Sequence, residues 1–192
     1  MAGRTSLAPT RIERISRARR ETIAAPADHV FGLLSPVAEY DWIEGWSCEL
    51  VYPPSGAIEE GCIFHEKMSA PFLLGRRSPT TWVVTRHAAP TLQVEFLLFL
   101  GRLALGKLAV TGEAIDSGSS VFSFAFTLTA LSERSNRLVN AATAQRVEAM
   151  VGFLAQALKH YCETGKMLGK AQALRDHGFH HGPRIVGFLR KL

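Results

Sequence analysis

The side chains that could point into the protein interior and carry out acid–base chemistry there fall in segments that read as strands. These strand-borne ionisable residues are His65, Glu66, Arg86, His87, Glu95 and Glu113. A histidine held beside an apolar molecule can act as an acid or a base near neutral pH. Because neighbouring residues of a strand face opposite ways, only one of His65 and Glu66 can point inward. The alternative for each histidine is a place at the surface or rim.

The sequence contains no arrangement typical of a metal or cofactor site. His177, His180 and His181 lie near the C-terminus without the cysteine or spaced acid that would complete a zinc site. Phosphate-binding glycine loops, a G-x-S-x-G elbow and an H-E-x-x-H motif are absent. The three cysteines, which are Cys48, Cys62 and Cys162, are widely separated, which indicates reduced thiols in a cytoplasmic protein. We therefore expect no metal and no cofactor.

Length and composition indicate one globular domain with basic ends. The chain has 192 residues, of which 47% are hydrophobic and 20% charged, and a net charge of +5. Basic residues are concentrated in segments 1–16 and 166–192, and the second is punctuated by glycines; we expect the domain at 17–165. Basic ends can attract anionic lipid, or they can simply be solvated. Without interleaved aromatic residues they do not indicate a specific nucleic-acid partner.

The elements that position the candidate residues are organised around one long helix, predicted at 136–163. Val147, Val151, Leu154, Leu158 and Tyr161 are spaced by four and three residues, which places them in one apolar stripe. Ser135 or Asn136 can cap the start, and Gly165 can end the helix in the left-handed conformation. Such a helix is roughly 40 Å long and needs a broad apolar partner.

Nearly all of the chain before this helix reads as strands. We predict strands at 48–52, 62–68, 80–87, 92–100, 103–115 and 121–131, after a first strand that ends at Ile23 and two short helices. In the last strand Phe122, Phe124 and Phe126 alternate with small and polar residues, which predicts an aromatic face against the helix. The expected fold class is α+β, with a curved antiparallel sheet wrapped around a long C-terminal helix.

The order of elements resembles that of a known superfamily. The segment Ala-Pro-Ala-Asp-His-Val-Phe at 25–31, followed by the tryptophan-containing segment at 40–46, is similar to the opening of START-like (Bet v 1-like, polyketide cyclase/dehydrase and lipid transport) proteins. The resemblance covers residues 17–163. It implies a helix-grip fold with a cavity between sheet and helix for a lipid, a polyketide or an isoprenoid-like molecule. Its members include carriers, receptors and cyclases, so the fold alone does not select a function.

The implied cavity would be lined mainly by apolar side chains. We expect the ligand-binding residues to be Phe122, Phe124, Phe126, Val147, Val151, Leu154 and Trp82, with His65, His87 and Arg86 as polar contacts. Core packing is the alternative for each apolar residue. Trp42 and Trp46 either form a lid at the mouth or anchor the short helices.

These residues favour binding or carriage of a small hydrophobic ligand over catalysis. One alternative is a polyketide cyclase or aromatase-type enzyme that uses His65, His87 or Arg86. A second is a membrane-peripheral lipid or quinone chaperone that uses the basic ends. The run from Phe96 to Leu100 has large apolar residues on both faces of its strand. A second subunit, the basic tail or the helix could cover the outer face, so a homodimer is also considered.

Overall fold

The computed structural model describes residues 11–67, 73–74 and 80–169. Within them, seven antiparallel strands form one sheet in the order β1-β7-β6-β5-β4-β3-β2. The strands are β1 (Arg14–Ile23), β2 (Cys48–Tyr52), β3 (Ile63–Glu66), β4 (Thr80–Ala88), β5 (Gln93–Leu100), β6 (Ala104–Ala114) and β7 (Ser120–Ala130). The helices are α1 (Ala27–Gly32), α2 (Glu39–Trp42), α3 (Glu133–Asn136) and α4 (Ala141–Thr164), and a 3₁₀ turn is formed by Ala89–Thr91. The predicted helix-grip α+β fold is confirmed.

The core lies between one face of the sheet and α4. Alternate residues of β7 are buried, from Ser120 through Phe122, Phe124, Phe126 and Leu128 to Ala130. The facing stripe of α4 contributes Val147, Val151 and Leu158, each at most 1% exposed. The period of two in the strand and the spacing of three and four in the helix thus bring two apolar surfaces together.

The long helix begins five residues later than the sequence indicates. Ser132 caps the separate short helix α3 by accepting a hydrogen bond from the Ser135 N–H, and the chain then turns before α4. Asn140 caps α4, because its Oδ1 accepts from the Thr143 N–H at 3.1 Å. Gly165 ends α4 in the left-handed conformation with φ of 66°, as predicted.

The first strand runs beside α4. β1 begins at Arg14 and ends at Ile23, the end that the sequence indicates. Arg17 pairs with Glu148 of α4 at 3.1 Å, and the Glu163 carboxylate accepts a hydrogen bond from the Ala24 N–H at 3.0 Å. Lys159 donates to the Thr22 carbonyl. These contacts join the helix to the edge of the sheet along much of its length.

Both basic ends extend beyond the described residues. Residues 1–10 and 170–192 lie outside them, and with them the C-terminal histidines His177, His180 and His181. Of the helices that are described, none is long and apolar enough to cross a bilayer.

Candidate functional site

The predicted aromatic and aliphatic residues meet between the sheet and α4. Phe122, Phe124 and Phe126 are at most 1% exposed. Leu154 differs from its neighbours in the helix stripe: it keeps an intermediate exposure, whereas Val147 and Val151 are buried. Leu154 lies in the middle of the stripe that faces the sheet, so part of this stripe remains accessible.

Strand β3 turns Glu66 inward and His65 outward. Phe64, two residues before Glu66 and therefore on the same face, is 2% exposed and belongs to the core. His65 is exposed, and its Nδ1 lies 3.1 Å from Thr81 Oγ1. The sequence predicts that only one of His65 and Glu66 points inward. In the structure that residue is Glu66, and His65 lies on the outer face.

A bulge in β4 determines where Arg86 and His87 point. The register between β4 and β5 shifts between Val84 and Arg86, so that Arg86 pairs with Glu95 and His87 with the fully buried Val94. Without the shift, Arg86 would continue the inward series of Trp82 and Val84. Arg86 is instead exposed on the outer side and is not placed to contact an internal ligand.

His87 lies at the opposite end of the sheet from Glu66. Its ring stacks on Phe31 of α1, with centroids 5.2 Å apart and an interplanar angle of 29°. Glu66 pairs with Thr80, at the other end of β4, and seven residues of strand correspond to about 23 Å. The polar residues expected from the sequence therefore do not form one site.

A second carboxyl group reaches Glu66 from the short helix α2. Tyr40 holds α2 on the first residue of β2: its hydroxyl donates to the Cys48 carbonyl at 3.1 Å and accepts from the Cys48 N–H at 2.9 Å. Cys48 is the pairing partner of Glu66 in the sheet. This contact brings Glu39, next to Tyr40, into electrostatic contact with Glu66.

The two carboxyl groups have strongly altered acidity. Burial, together with the like charge of Glu66, raises the pKa of Glu39 to about 8. Burial also raises the pKa of Glu66 to about 7, opposed by a hydrogen bond of 2.8 Å from Trp82 Nε1 to Glu66 Oε2. Both residues keep intermediate exposure although their carboxyl groups have interior surroundings. Such a combination is typical of groups at the wall of a recess.

A cluster of aromatic rings adjoins Glu66 through its hydrogen bond to Trp82. Trp82 stacks on Phe64 at 5.9 Å and meets Phe96 edge-on at 6.1 Å, and Trp46 meets Phe64 edge-on at 6.1 Å. The indole N–H of Trp46 donates to the Pro36 carbonyl at 2.9 Å. Trp42 is 1% exposed and donates to the Leu33 carbonyl at 3.0 Å. Both tryptophans of this segment thus anchor it to the preceding turn.

The pair Glu39–Glu66 is the feature that sequence reasoning missed. Strand alternation contained a signal for Glu66, because the large apolar Phe64 on the same face points to the core. No pattern marks Glu39, which becomes part of the site only through the Tyr40–Cys48 contact between α2 and β2.

Neither a metal cluster nor a disulfide is found in the part of the chain that the structure describes. No three His, Cys, Asp or Glu residues there are arranged to hold a metal ion. Cys48, Cys62 and Cys162 are free thiols. Burial raises the pKa of Cys162 to about 11, so its thiol stays protonated at neutral pH.

Comparison with known proteins shows similarity at the level of the fold. No protein-family model and no curated protein matches the sequence. Among solved structures, the norcoclaurine synthase of Thalictrum flavum in complex with dopamine and hydroxybenzaldehyde has a TM-score of 0.58 at 12% identity, covering 83% of this chain and 92% of its own.

Two bacterial proteins have comparable similarity. A START superfamily protein of Mycobacterium smegmatis has a TM-score of 0.58 at 12% identity, covering 77% of this chain and 96% of its own. The Zhui aromatase/cyclase of Streptomyces sp. R1128 has a TM-score of 0.53 at 12% identity, covering 81% of this chain and 100% of its own. At such low identity the similarity establishes a common architecture and leaves the ligand open.

Proposed function

From the START-like helix-grip fold that the chain adopts, we propose that it binds a small hydrophobic ligand between the sheet and α4. The observation that carries this proposal is the accessible surface of Leu154 within a stripe that is otherwise buried. Phe122, Phe124 and Phe126 face that stripe from β7. Apolar burial would supply most of the affinity, at about 25 cal/mol per Å² of surface removed from water.

An enzyme of the cyclase type is the second candidate, and the carboxyl pair favours it. Glu39 and Glu66 are acids with pKa values near neutrality beside the same apolar interior, which suits proton transfer. Similarity in fold to an aromatase/cyclase agrees with this candidate. Of the three groups that the sequence suggests for this alternative, His65 and Arg86 are exposed, and His87 stacks on Phe31. Loss of turnover of an aromatic polyketide analogue in Glu66→Gln, with apolar binding retained, would favour the enzyme.

The binding proposal is tested by filling the space beside α4. We expect the wild-type chain to bind the neutral fluorophore N-phenyl-1-naphthylamine with one-to-one stoichiometry. Leu154→Trp should weaken that binding about tenfold or more, because the larger side chain occupies the space that the probe needs. Leu131→Trp is the matched control: Leu131 is 48% exposed just after β7, and this variant should bind as the wild type does.

Two results would contradict binding between sheet and helix. One is failure of the wild-type chain to take up the probe, which would mean that the apolar surfaces are closed against each other. The other is equal weakening by Leu154→Trp and Leu131→Trp, which would locate the probe elsewhere. Circular dichroism of both variants checks that they retain the fold, and native mass spectrometry of the gently purified protein identifies any molecule that copurifies.

A further inference from the structure

The side of α4 that faces away from the sheet is enclosed at the middle of the helix. Four residues on this side, which we call the outer stripe, have the spacing of neighbours on one helix surface: Ala149, Gly152, Phe153 and Gln156. Gln156 follows the sheet-facing Val147 by about two and a half turns, so it points the opposite way. All four residues are buried, and Phe153 is only 4% exposed. The middle of α4 is therefore covered from both sides.

The cover on the outer side is confined to these turns. Gln145, about one turn before Ala149 on the same side, is exposed, and so is Glu163, about two turns after Gln156. The outer stripe itself extends over about 10 Å, at about 1.5 Å per residue. A helix side that faces solvent is ordinarily polar and exposed. A local contact must therefore cover the outer stripe.

The sheet borders the outer stripe on one flank only. Among the described elements, the main contacts of α4 are with β1, β7 and α2, and the two strands belong to the sheet. β1 approaches the flank at Glu148, which pairs with Arg17. Phe153 follows Glu148 by about 140° around the helix, at about 100° per residue, and so lies on the other flank. The sheet does not account for the burial of Phe153.

The other described contacts of α4 do not reach the outer stripe either. The helix α2 lies on the sheet side of α4, since it is docked on β2 and its Glu39 adjoins the inward-facing Glu66. On the flank of Phe153, the Leu73 carbonyl accepts a hydrogen bond from Arg146 at 2.9 Å. Arg146 precedes Phe153 by about 10 Å along the helix. Neither contact accounts for the enclosure of the outer stripe.

Gln156 indicates the chemistry of the cover. Its side chain is 8% exposed, and its Oε1 is buried without a hydrogen-bond partner among the described residues. A buried amide oxygen in this state is costly unless a donor reaches it. Polypeptide supplies both apolar side chains to cover Phe153 and backbone N–H groups for such an oxygen. The cover should therefore be a segment of protein chain.

We propose that residues 170–192 of this chain pack on the outer stripe. The chain turns back directly after α4, because Gly165 adopts the left-handed conformation and Leu168 is already 2% exposed. Residues 170–192 would span roughly 75 Å if extended at about 3.3 Å per residue. Ala149, the far end of the outer stripe, is only about 23 Å from the end of α4. The segment therefore begins beside the outer stripe and is long enough to cover it.

The composition of residues 170–192 suits such a contact. Their large apolar side chains include Phe179, Ile185, Phe188, Leu189 and Leu192. Ala149 and Gly152 are small and leave room for apolar side chains beside Phe153. The basic residues of the segment can keep their charges in water at the surface. The segment is then part of the folded domain rather than an appendage, and it holds α4 against the sheet from outside.

Hydroxyl-radical footprinting tests the contact, because a phenylalanine is oxidised at a rate that follows its exposure to water. In the full chain Phe153 should be as well protected as Phe124, which lies between the sheet and α4. In a chain that ends at Gly169, Phe153 should be oxidised about tenfold faster. Phe124 is the internal control: its continued protection shows that the shortened chain keeps the fold.

Photo-crosslinking of the full-length chain identifies what touches the outer stripe. In Phe153→p-azidophenylalanine the reactive group replaces a side chain of similar shape, and irradiation should link it to residues 170–192 of the same chain. Mass spectrometry of the peptides locates the link. Gln145→p-azidophenylalanine is the matched control, since Gln145 is exposed on the same side of α4 and should form few links.

Each outcome decides for or against residues 170–192. Links from position 153 to this segment within one chain, with faster oxidation of Phe153 in the shortened chain, support the proposal. Links to residues 68–79, or to a second copy at twice the mass, would overturn it by identifying another cover. Absence of links, or unchanged protection of Phe153 in a folded shortened chain, would overturn it as well. If Phe124 also becomes oxidised, the shortened chain has lost its fold, and the links in the full-length chain decide.

Discussion

The phenyl ring of Phe126 lies directly over the backbone of Gly106 on the neighbouring strand. A Cβ atom built on Gly106 would come within 2.6 Å of Phe126 Cζ and 3.2 Å of Leu98 Cβ. Gly112 and Phe122 repeat the arrangement, with a Cβ 2.5 Å from Phe122 Cζ. Because Gly106 and Gly112 of β6 have no side chain, the rings of Phe126 and Phe122 of β7 have room on the inner face of the sheet.

Gly106→Ala should therefore destabilise the protein by about 1–3 kcal/mol, because the added methyl group forces the ring of Phe126 from its position. Chemical denaturation measures the loss. Gly32→Ala is the matched control: a Cβ there would have no atom within 4 Å, and the change should be neutral or slightly stabilising. A Gly106→Ala variant as stable as Gly32→Ala would show that the ring can move at no cost.

Asn140→Ala should cost about 1 kcal/mol of unfolding free energy, because it removes the side chain that accepts from the Thr143 N–H at the start of α4. Asn140→Asp keeps an acceptor at the same place and should keep most of the stability. Thermal denaturation of the three proteins provides the comparison. Equal losses of stability in Asn140→Ala and Asn140→Asp would argue against a capping role of Asn140.

Stability should fall as pH rises from about 5 to 8. The pKa values of Glu39 and Glu66 in the folded protein, about 8 and about 7, lie above the ordinary 4.5. In this window the folded state holds protons that the unfolded state has lost. Each carboxyl group therefore lowers the free energy of unfolding by up to about 1.4 kcal/mol per pH unit. Below the ordinary pKa of 4.5 both states are protonated, and the stability that the protonated carboxyl groups allow is fully present.

Replacing Glu39 or Glu66 by glutamine should make the stability of the protein less dependent on pH. At pH 8, Glu39→Gln and Glu66→Gln should each raise the melting temperature relative to wild type, whereas at pH 5 the three proteins should be similar. Glu60→Gln, which changes an exposed carboxylate, serves as the control and should follow the wild-type curve. A wild-type curve that is flat between pH 5 and pH 8 would contradict the raised pKa values.

Trp82→Phe should raise the pKa of Glu66 further, because it removes the indole N–H that stabilises the ionised carboxylate and leaves an aromatic ring against Phe64. Titration of the glutamate carboxyl carbons by NMR measures the shift. Trp46→Phe is the control, since the Trp46 indole donates to the Pro36 carbonyl and not to Glu66. An identical Glu66 titration in wild type and Trp82→Phe would exclude this role of the hydrogen bond.

The sequence predicts the architecture well because its local patterns agree with the tertiary structure. β2 was predicted with its observed bounds, and the alternation in β7 identified the buried face. The start of α4 was misplaced because residues 136–140 have no feature that forbids a helix. There, the hydrogen bonds of Asn140 and the contact of Thr143 with the Leu138 carbonyl decide where the helix begins.

The candidate site could be predicted only in part, because its polar half depends on tertiary contacts. Strand alternation limits the choice to His65 or Glu66, and packing of Phe64 selects Glu66. The bulge after Val84 reverses the orientation of Arg86, and it has no proline or glycine to mark it. Glu39 arrives through α2, whose docking on β2 is a contact between segments that are separate in sequence.

The two outer strands of the sheet determine how copies of this protein can associate. β1 carries Arg14, Arg17, Arg19 and Arg20, all exposed, and β2 is only five residues long with an irregular register between Leu50 and Tyr52. A charged edge strand and a short, irregular edge strand both hinder pairing with the edge strand of another molecule. Growth of a continuous intermolecular sheet, the route to fibrous aggregates, is thereby disfavoured on both sides. The outer sheet surface, where Phe99 is 41% exposed, offers a dimer an apolar contact that involves neither edge.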